Sequence, residues 1–114
     1  MSVAFQKTSP ELVRARTTVI SYVGEHFDGV LSEQVRDALR RGAAEVVVDL
    51  GNVRMVSSSV FTTLHRAGAR LHARGGRLTV VSGHPALARL LRLILLSRAF
   101  AVVSSREDAL RRGP

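Results

Sequence analysis

Three consecutive serines, Ser57-Ser58-Ser59, close a loop and open an amphipathic stretch in this 114-residue chain. Serine at such a boundary can do two things. It can cap a helix, its hydroxyl accepting from a first-turn N–H, for about 1 kcal/mol. It can also carry a regulatory phosphate, because a helix N-terminus offers free N–H groups and about half a positive charge. A phosphate there adds roughly −1.5 to −2 charge and would block a surface that docks by packing and neutral hydrogen bonds. Both readings stand together if Ser57 is the cap and Ser58 the acceptor. Asp49, which follows the apolar run Val46-Val47-Val48, also has two readings. It sits where open α/β sheets place their sites, at the C-terminal end of a strand, or it is an acid that bonds loop N–H groups.

Other chemistry finds little support. No serine lies in a Gly-x-Ser-x-Gly elbow, and there is no glycine-rich phosphate loop. His65 and His72 are two turns apart on one expected helix, about 10 Å by helical rise, too far to share an ion. They read as solvated surface histidines, and His26 and His84 have no ligand-like neighbours. With no cysteine, disulfides, zinc–cysteine sites and thiol catalysis are excluded. The expectation is a protein that is not an enzyme and has no cofactor or metal.

The elements around these residues follow from hydrophobic periodicity. Residues 1–10 read as a loose lead-in or edge strand. Leu12–Arg16 and Thr17–Val23 are β-like, and Gly24 ends them. A helix is predicted over about Leu31–Arg41, stopped by Gly42. Val46–Val48 is a strand covered on both faces. A second helix starts at the serines, with Phe61, Leu64, Gly68 and Leu71 inward, and stops at Gly75-Gly76. Leu78–Val81 is a strand. Pro85 starts a third helix that runs to about Leu96, with Leu87, Leu90, Leu91 and Ile94 toward the core and Leu93 and Leu96 leaning out. Ala101–Val103 is a last strand. Ser105 and Asp108 have capping-box spacing for a final helix that ends before Gly113-Pro114. The order β-β-α-β-α-β-α-β-α implies an α/β domain over residues 1–114 with mostly parallel pairing and an antiparallel opening edge.

Composition narrows the class further. Apolar residues make up 46% and charged residues 23%, the balance of a folded globular chain. No run is long enough to span a bilayer, and the N-terminus lacks a signal-peptide core, so a cytoplasmic protein is expected. The net charge is +8, and all of it lies in the second half. Residues 1–57 hold seven basic and seven acidic residues, whereas residues 58–114 hold ten and two. Arg66, Arg70 and Arg74 recur at four-residue spacing on the second helix, and Arg89 and Arg92 lie on the third. They form a solvated face or a docking stripe for an acidic partner. The scattered aromatics lack the basic–aromatic interleaving that stacks bases, which argues against single-stranded nucleic acid and leaves direct nucleic-acid binding through the basic half a weaker reading. The third helix, nearly apolar all round, is either buried on two sides or offers leucines to a membrane, a partner or a second copy.

The segment Val46–Leu64, VVVDLGNVRMVSSSVFTTL, resembles the STAS family of bacterial anti-sigma factor antagonists. Asp49-Leu50 matches the strand-ending Asp-Leu, and Val53 and Val56 match apolar loop positions. Ser58 falls on the phosphorylated serine. Gly24-Glu25 with Asp28 looks like the family's Gly-Glu-x-Asp with one extra residue. Arg74-Gly75-Gly76-Arg77-Leu78, Leu91–Phe100 and Ser105–Leu110 look like later family motifs, in order. Three positions depart from the pattern: Ser57 replaces an acid, Val60 replaces a glycine, and Leu95 stands where the third helix usually ends in glycine.

The resemblance implies a central mixed, mostly parallel sheet with about four helices, mainly on one face. It implies a protein that binds an anti-sigma factor, often a serine kinase using ATP, and so releases a sigma factor for transcription. Ser58 would accept phosphate, and Asp49, Ser57 and Ser59 would shape the loop. The second helix would carry the contact face through Phe61, Thr62, His65, Arg66 and Arg70. The alternative is a non-phosphorylated STAS subunit of a larger regulatory or lipid-transport assembly.

Overall fold

The structure, a computed structural model, describes residues 11–14, 16–95 and 99–111. The expected lead-in 1–10, Ala15, Leu96 and residues 112–114 lie outside the described residues. Strands β1 (Glu11–Arg14) and β2 (Thr17–Ser21) are followed by α1 (Phe27–Arg40), β3 (Glu45–Asp49), α2 (Ser58–Ala73), β4 (Arg77–Val81), α3 (Pro85–Ile94), β5 (Phe100–Val103) and α4 (Arg106–Arg111). The sheet runs β1-β2-β3-β4-β5, antiparallel at the first pair and parallel thereafter. Because strand order follows chain order, each right-handed crossover sets its helix on the same face. The expected α/β sheet with helices mainly on one face is what forms.

Two cores result. On the first face, Ile20, Val46, Val48, Leu78 and Val80 meet α1, α2 and α3. On the second, Val19, Val47 and Val81 meet Ala109 of α4. Strand alternation assigns these faces, and burial on both sides explains why Val46–Val48 reads as an unbroken apolar run. The second face also takes polar residues. The Glu45 carboxylate is buried at the start of β3, where Oε2 accepts from Arg77 Nε at 3.1 Å and from Thr79 Oγ1 at 3.3 Å. Glu45→Ala would strand both donors. Because Arg77 keeps 32% of its side chain exposed, the expected loss is about 2 kcal/mol, below that of a fully buried pair. Chemical denaturation checks this, with Glu45→Gln, which keeps an acceptor, losing less.

The structure corrects several element boundaries. The first strand stops at Arg14 and the chain turns at Arg16, whose φ is +67°. The Arg16 carbonyl holds that turn by accepting from Ala44 and Glu45 N–H at 2.8 and 3.0 Å. The second strand ends at Ser21, two residues before the expected Val23. Helix α1 begins at Phe27, a full turn before the expected Leu31. Gly29 and Val30 are weak helix formers, but Phe27 is buried against the core and its ring lies 5.1 Å from that of Tyr22. Tertiary packing thus extends the helix past its local propensity.

Helix α2 ends as expected. Gly75 takes φ +79°, Gly75 N–H bonds the His72 carbonyl at 3.0 Å and Gly76 N–H bonds that of Leu71 at 2.8 Å. This is a Schellman stop, which a side chain at Gly75 would strain. Helix α4 starts with Asp108 N–H donating to Ser105 Oγ at 3.1 Å, half of the expected capping box. The Asp108 carboxylate accepts from Ser104 Oγ instead.

Three core assignments change, and the first is Leu90, which is half-buried. Val60, and not Phe61, joins Leu64, Ala67, Gly68 and Leu71 on the inner stripe of α2, and Phe61 is half-buried. Ile94 is 45% exposed and Leu95 is buried in its place. The helix stops at Ile94, and Leu95 turns back into the core at φ −96°, ψ 46°. Leucine therefore serves here without left-handed backbone.

Candidate functional site

The loop between β3 and α2 is pinned at both ends. Leu50 is buried and its N–H bonds the Val81 carbonyl at 2.9 Å. Val56 is buried just before the helix, and Phe61, four residues beyond the cap, packs against the same core. This is a hydrophobic staple, which fixes the angle at which the chain enters the helix. Ser57 is the N-cap, with extended backbone and a hydroxyl that accepts from Val60 N–H at 3.4 Å. The Ser57 and Ser59 hydroxyls share a further hydrogen bond of 3.0 Å. Ser57→Ala is expected to cost about 1 kcal/mol and to lower the thermal midpoint by a few degrees, measurable by circular dichroism.

Ser58 is the first residue of the helix and is exposed. Its carbonyl accepts from Thr62 Oγ1 at 3.2 Å, and among the described residues no hydrogen bond engages its hydroxyl. The first turn of α2 holds no acidic residue, so no carboxylate there competes for the positive end of the helix dipole.

One turn further along α2, Phe61, Thr62, His65 and Arg66 line a groove of about 300 Å³ with Ile94 of α3. Four of the five residues expected at a contact face thus meet in one place. The His65 ring lies 5.7 Å from that of Phe100, so this surface histidine is braced and not merely solvated. Ile94 was missed because the sequence puts it in the core. The one available signal was that α3 is apolar all round and cannot bury every leucine. Leu93 beside it is 65% exposed, so burial of this helix on two sides does not hold for its last turn.

The structure does not bring Asp49 or Arg70 to the groove. Asp49 lies two residues after Val47 and so shares its face, the second face of the sheet, across from α2. Its Oδ1 accepts from Gly51 N–H at 2.8 Å and its Oδ2 from Arg106 Nε at 3.0 Å. Arg106 also donates to Ser21 Oγ at 3.1 Å. This carboxylate therefore ties the strand ends to α4, alongside the loop N–H bond the sequence allowed. Arg70 lines a separate cleft between α1 and α2. The third-helix arginines are exposed, and Arg92 reaches the Val102 carbonyl at 3.4 Å.

Other polar residues have defined places. Asp28, in the first turn of α1, accepts from Thr63 Oγ1 at 3.1 Å and ties the two helices together. His84 caps α3, its Nδ1 accepting from Ala86 N–H at 3.3 Å. Among the described residues no cluster of three His, Asp or Glu could hold a metal, and no helix is long and apolar enough to cross a membrane.

Comparison with known proteins agrees with this geometry. No curated protein matches the chain in sequence. Two solved structures of TM1081 superpose with a TM-score of 0.72 each. The solution structure is 17% identical over 92% of this chain and 88% of its own. The crystal structure, from Thermotoga maritima and described as a candidate anti-sigma factor antagonist, is 16% identical over 90% of this chain and 91% of its own. At that identity the likeness establishes the fold alone. A family model described as MlaB, STAS domain matches residues 23–104. That span runs from the end of the β1–β2 hairpin through β5 and includes the serine loop and the whole of the groove: the chain belongs to the STAS domain family.

Proposed function

We propose that this protein is an anti-sigma factor antagonist, a binding switch and not an enzyme. The observation that carries the reading is the exposed Ser58 hydroxyl, unbonded among the described residues, at the first position of α2, one turn from the groove of Phe61, Thr62, His65, Arg66 and Ile94. In the unphosphorylated state Phe61, Thr62, His65 and Ile94 pack on an anti-sigma factor and Arg66 meets its acidic side chains. A sigma factor held by that partner is released to transcription in the cytoplasm. Where the partner is a serine kinase, it transfers phosphate from ATP to Ser58. The phosphate is held by the helix N-terminus and places charge where the partner needs neutral contact, so the complex dissociates. The likeness of the fold to TM1081 supports the reading.

A pull-down with the whole chain, followed by ATP, tests it. The expected result is an anti-sigma factor retained by the unphosphorylated chain and released as phosphate appears on Ser58 by mass spectrometry. A second reading, a STAS subunit of a larger regulatory or lipid-transport assembly without phosphorylation, is favoured by the MlaB description of the family model and by the buried Val60. Val60 is the third residue of α2 and buried, so it anchors the helix start where a glycine would leave the first turn looser for a kinase. A stable complex that neither ATP nor Ser58→Ala alters identifies this second reading.

A further inference from the structure

Arg36 of α1 and Arg66 and Arg70 of α2 line one cleft of about 120 Å³, together with Ser32 and Thr63. The two helices run side by side over the first core, and this places an arginine from α1 opposite two that are one turn apart on α2. All three arginines are exposed, and none forms an ion pair or hydrogen bond among the described residues. The neighbouring acids do not neutralise them. Asp37 is bound by Arg40 at 3.0 Å and by Arg41. Asp28 is engaged by Thr63 on the wall of the cleft and forms no ion pair with any of the three arginines. Glu33, one turn from Arg36, makes no ion pair with it. Three like charges that line one cleft, none of them paired among the described residues, leave it open to an anion.

We propose that this cleft binds a phosphate-type oxyanion, gripped by the guanidinium groups of Arg36, Arg66 and Arg70 and by the Ser32 hydroxyl. Guanidinium forks match phosphate oxygens in pairs, and a doubly charged anion balances three cations better than a single carboxylate does. The volume of about 120 Å³ accommodates one phosphate group, with whatever carries it lying outside the open cleft. The Thr63 hydroxyl already donates to Asp28, so it helps shape the wall and does not donate to the anion. The site shares Arg66 with the groove beside Ser58, but its anion binding does not depend on the anti-sigma reading.

Titration of the whole chain with inorganic phosphate at fixed ionic strength, followed by ¹H–¹⁵N NMR, tests the site. The expected result is saturable shifts at the Arg36, Arg66 and Arg70 side chains and at Ser32, with a dissociation constant on the order of 1 mM. Arg36→Ala and Arg70→Ala should each weaken binding about tenfold, with the amide spectrum elsewhere unchanged to show that the fold is kept. O-phosphoserine in a parallel titration separates the sources: tighter binding than inorganic phosphate indicates a protein-borne phosphate, and equal binding a free one. Shifts that do not saturate, or that persist when Arg36→Ala and Arg70→Ala are combined, overturn the site. Glutarate binding as tightly as phosphate overturns the phosphate assignment in favour of a carboxylate.

Discussion

Ser58→Asp is expected to weaken binding to the anti-sigma partner about 100-fold, while Ser58→Ala binds as the unmodified chain does. The size follows from placing a charge against a docked surface that offers it no counter-ion, which costs several kcal/mol; about 3 kcal/mol is a factor of about 100. Arg66 does not offset the charge, since eight residues along the helix is about 12 Å. The fold is spared for a local reason. Ser58 is the first helical residue, exposed, in a turn with no acid, and a carboxylate there favours the helix by roughly 0.3–1 kcal/mol. Binding and stability therefore move in opposite directions, which no unfolding artefact reproduces. Calorimetric titration and thermal melts of the two variants measure the pair of effects. Equal affinity for Ser58→Asp and the parent would falsify docking at this end of α2.

The largest stability change is expected at Gly68. This residue lies in the middle of α2, where glycine ordinarily costs about 1 kcal/mol relative to alanine. The compensating fact is the Phe100 ring at the start of β5. A Cβ on Gly68 would lie 2.8 Å from Phe100 Cδ1 and closer still to Cε1 and Cζ. Gly68→Leu must displace that ring or lift α2 from the sheet, and a loss of about 3 kcal/mol is expected. Gly68→Ala sets two effects against each other, the helix preference for alanine and the collision, and should lose about 1 kcal/mol net. The collision is a pairwise term, so it shows in a double-mutant cycle. In a Phe100→Leu background, Gly68→Ala should become neutral or stabilising by denaturant melts. If alanine costs the same in both backgrounds, the ring is not the obstacle. The His65 ring lies against Phe100, so the same displacement should also disturb the groove below Ser58.

The regular elements were legible in the sequence because their signals are local. The period of Leu31, Val35, Ala38 and Leu39 marks a helix, and Gly42 and Gly75 mark its stop and that of α2. The serine run marks a cap, and Ser57 takes that place because its hydroxyl reaches an N–H only three residues away. What failed was the fine phase of helices and the position of their ends. Phe61 and Val60 differ by one position, about 100° of helix rotation, and only contact with the sheet decides which is buried. Phe27 and Gly29 lack strong local preference for helix, so α1 gains its first turn from burial of Phe27 against the core.

Residue pairs distant in the chain were beyond local reading altogether. Asp49 could be given a loop N–H partner from spacing, but Arg106 is 57 residues away and arrives only when α4 crosses to the second face. Arg36 gave no sign of joining Arg66 and Arg70, since nothing in the chain reports that α1 lies beside α2 at that register. Ile94 left the core because the helix ends there and Leu95, at φ −96° and ψ 46°, is buried in its place. By itself the sequence determined the order and type of elements, the stops, the cap and the excess of positive charge after residue 57. The tertiary structure alone decided which side chains share a surface: the groove beside Ser58, the three-arginine cleft, and the face on which Asp49 is held. Local hydrogen bonding and periodicity act over a few residues and are written in the chain order. Facing depends on sheet register and helix rotation, and these are fixed only when all the crossovers close on one core.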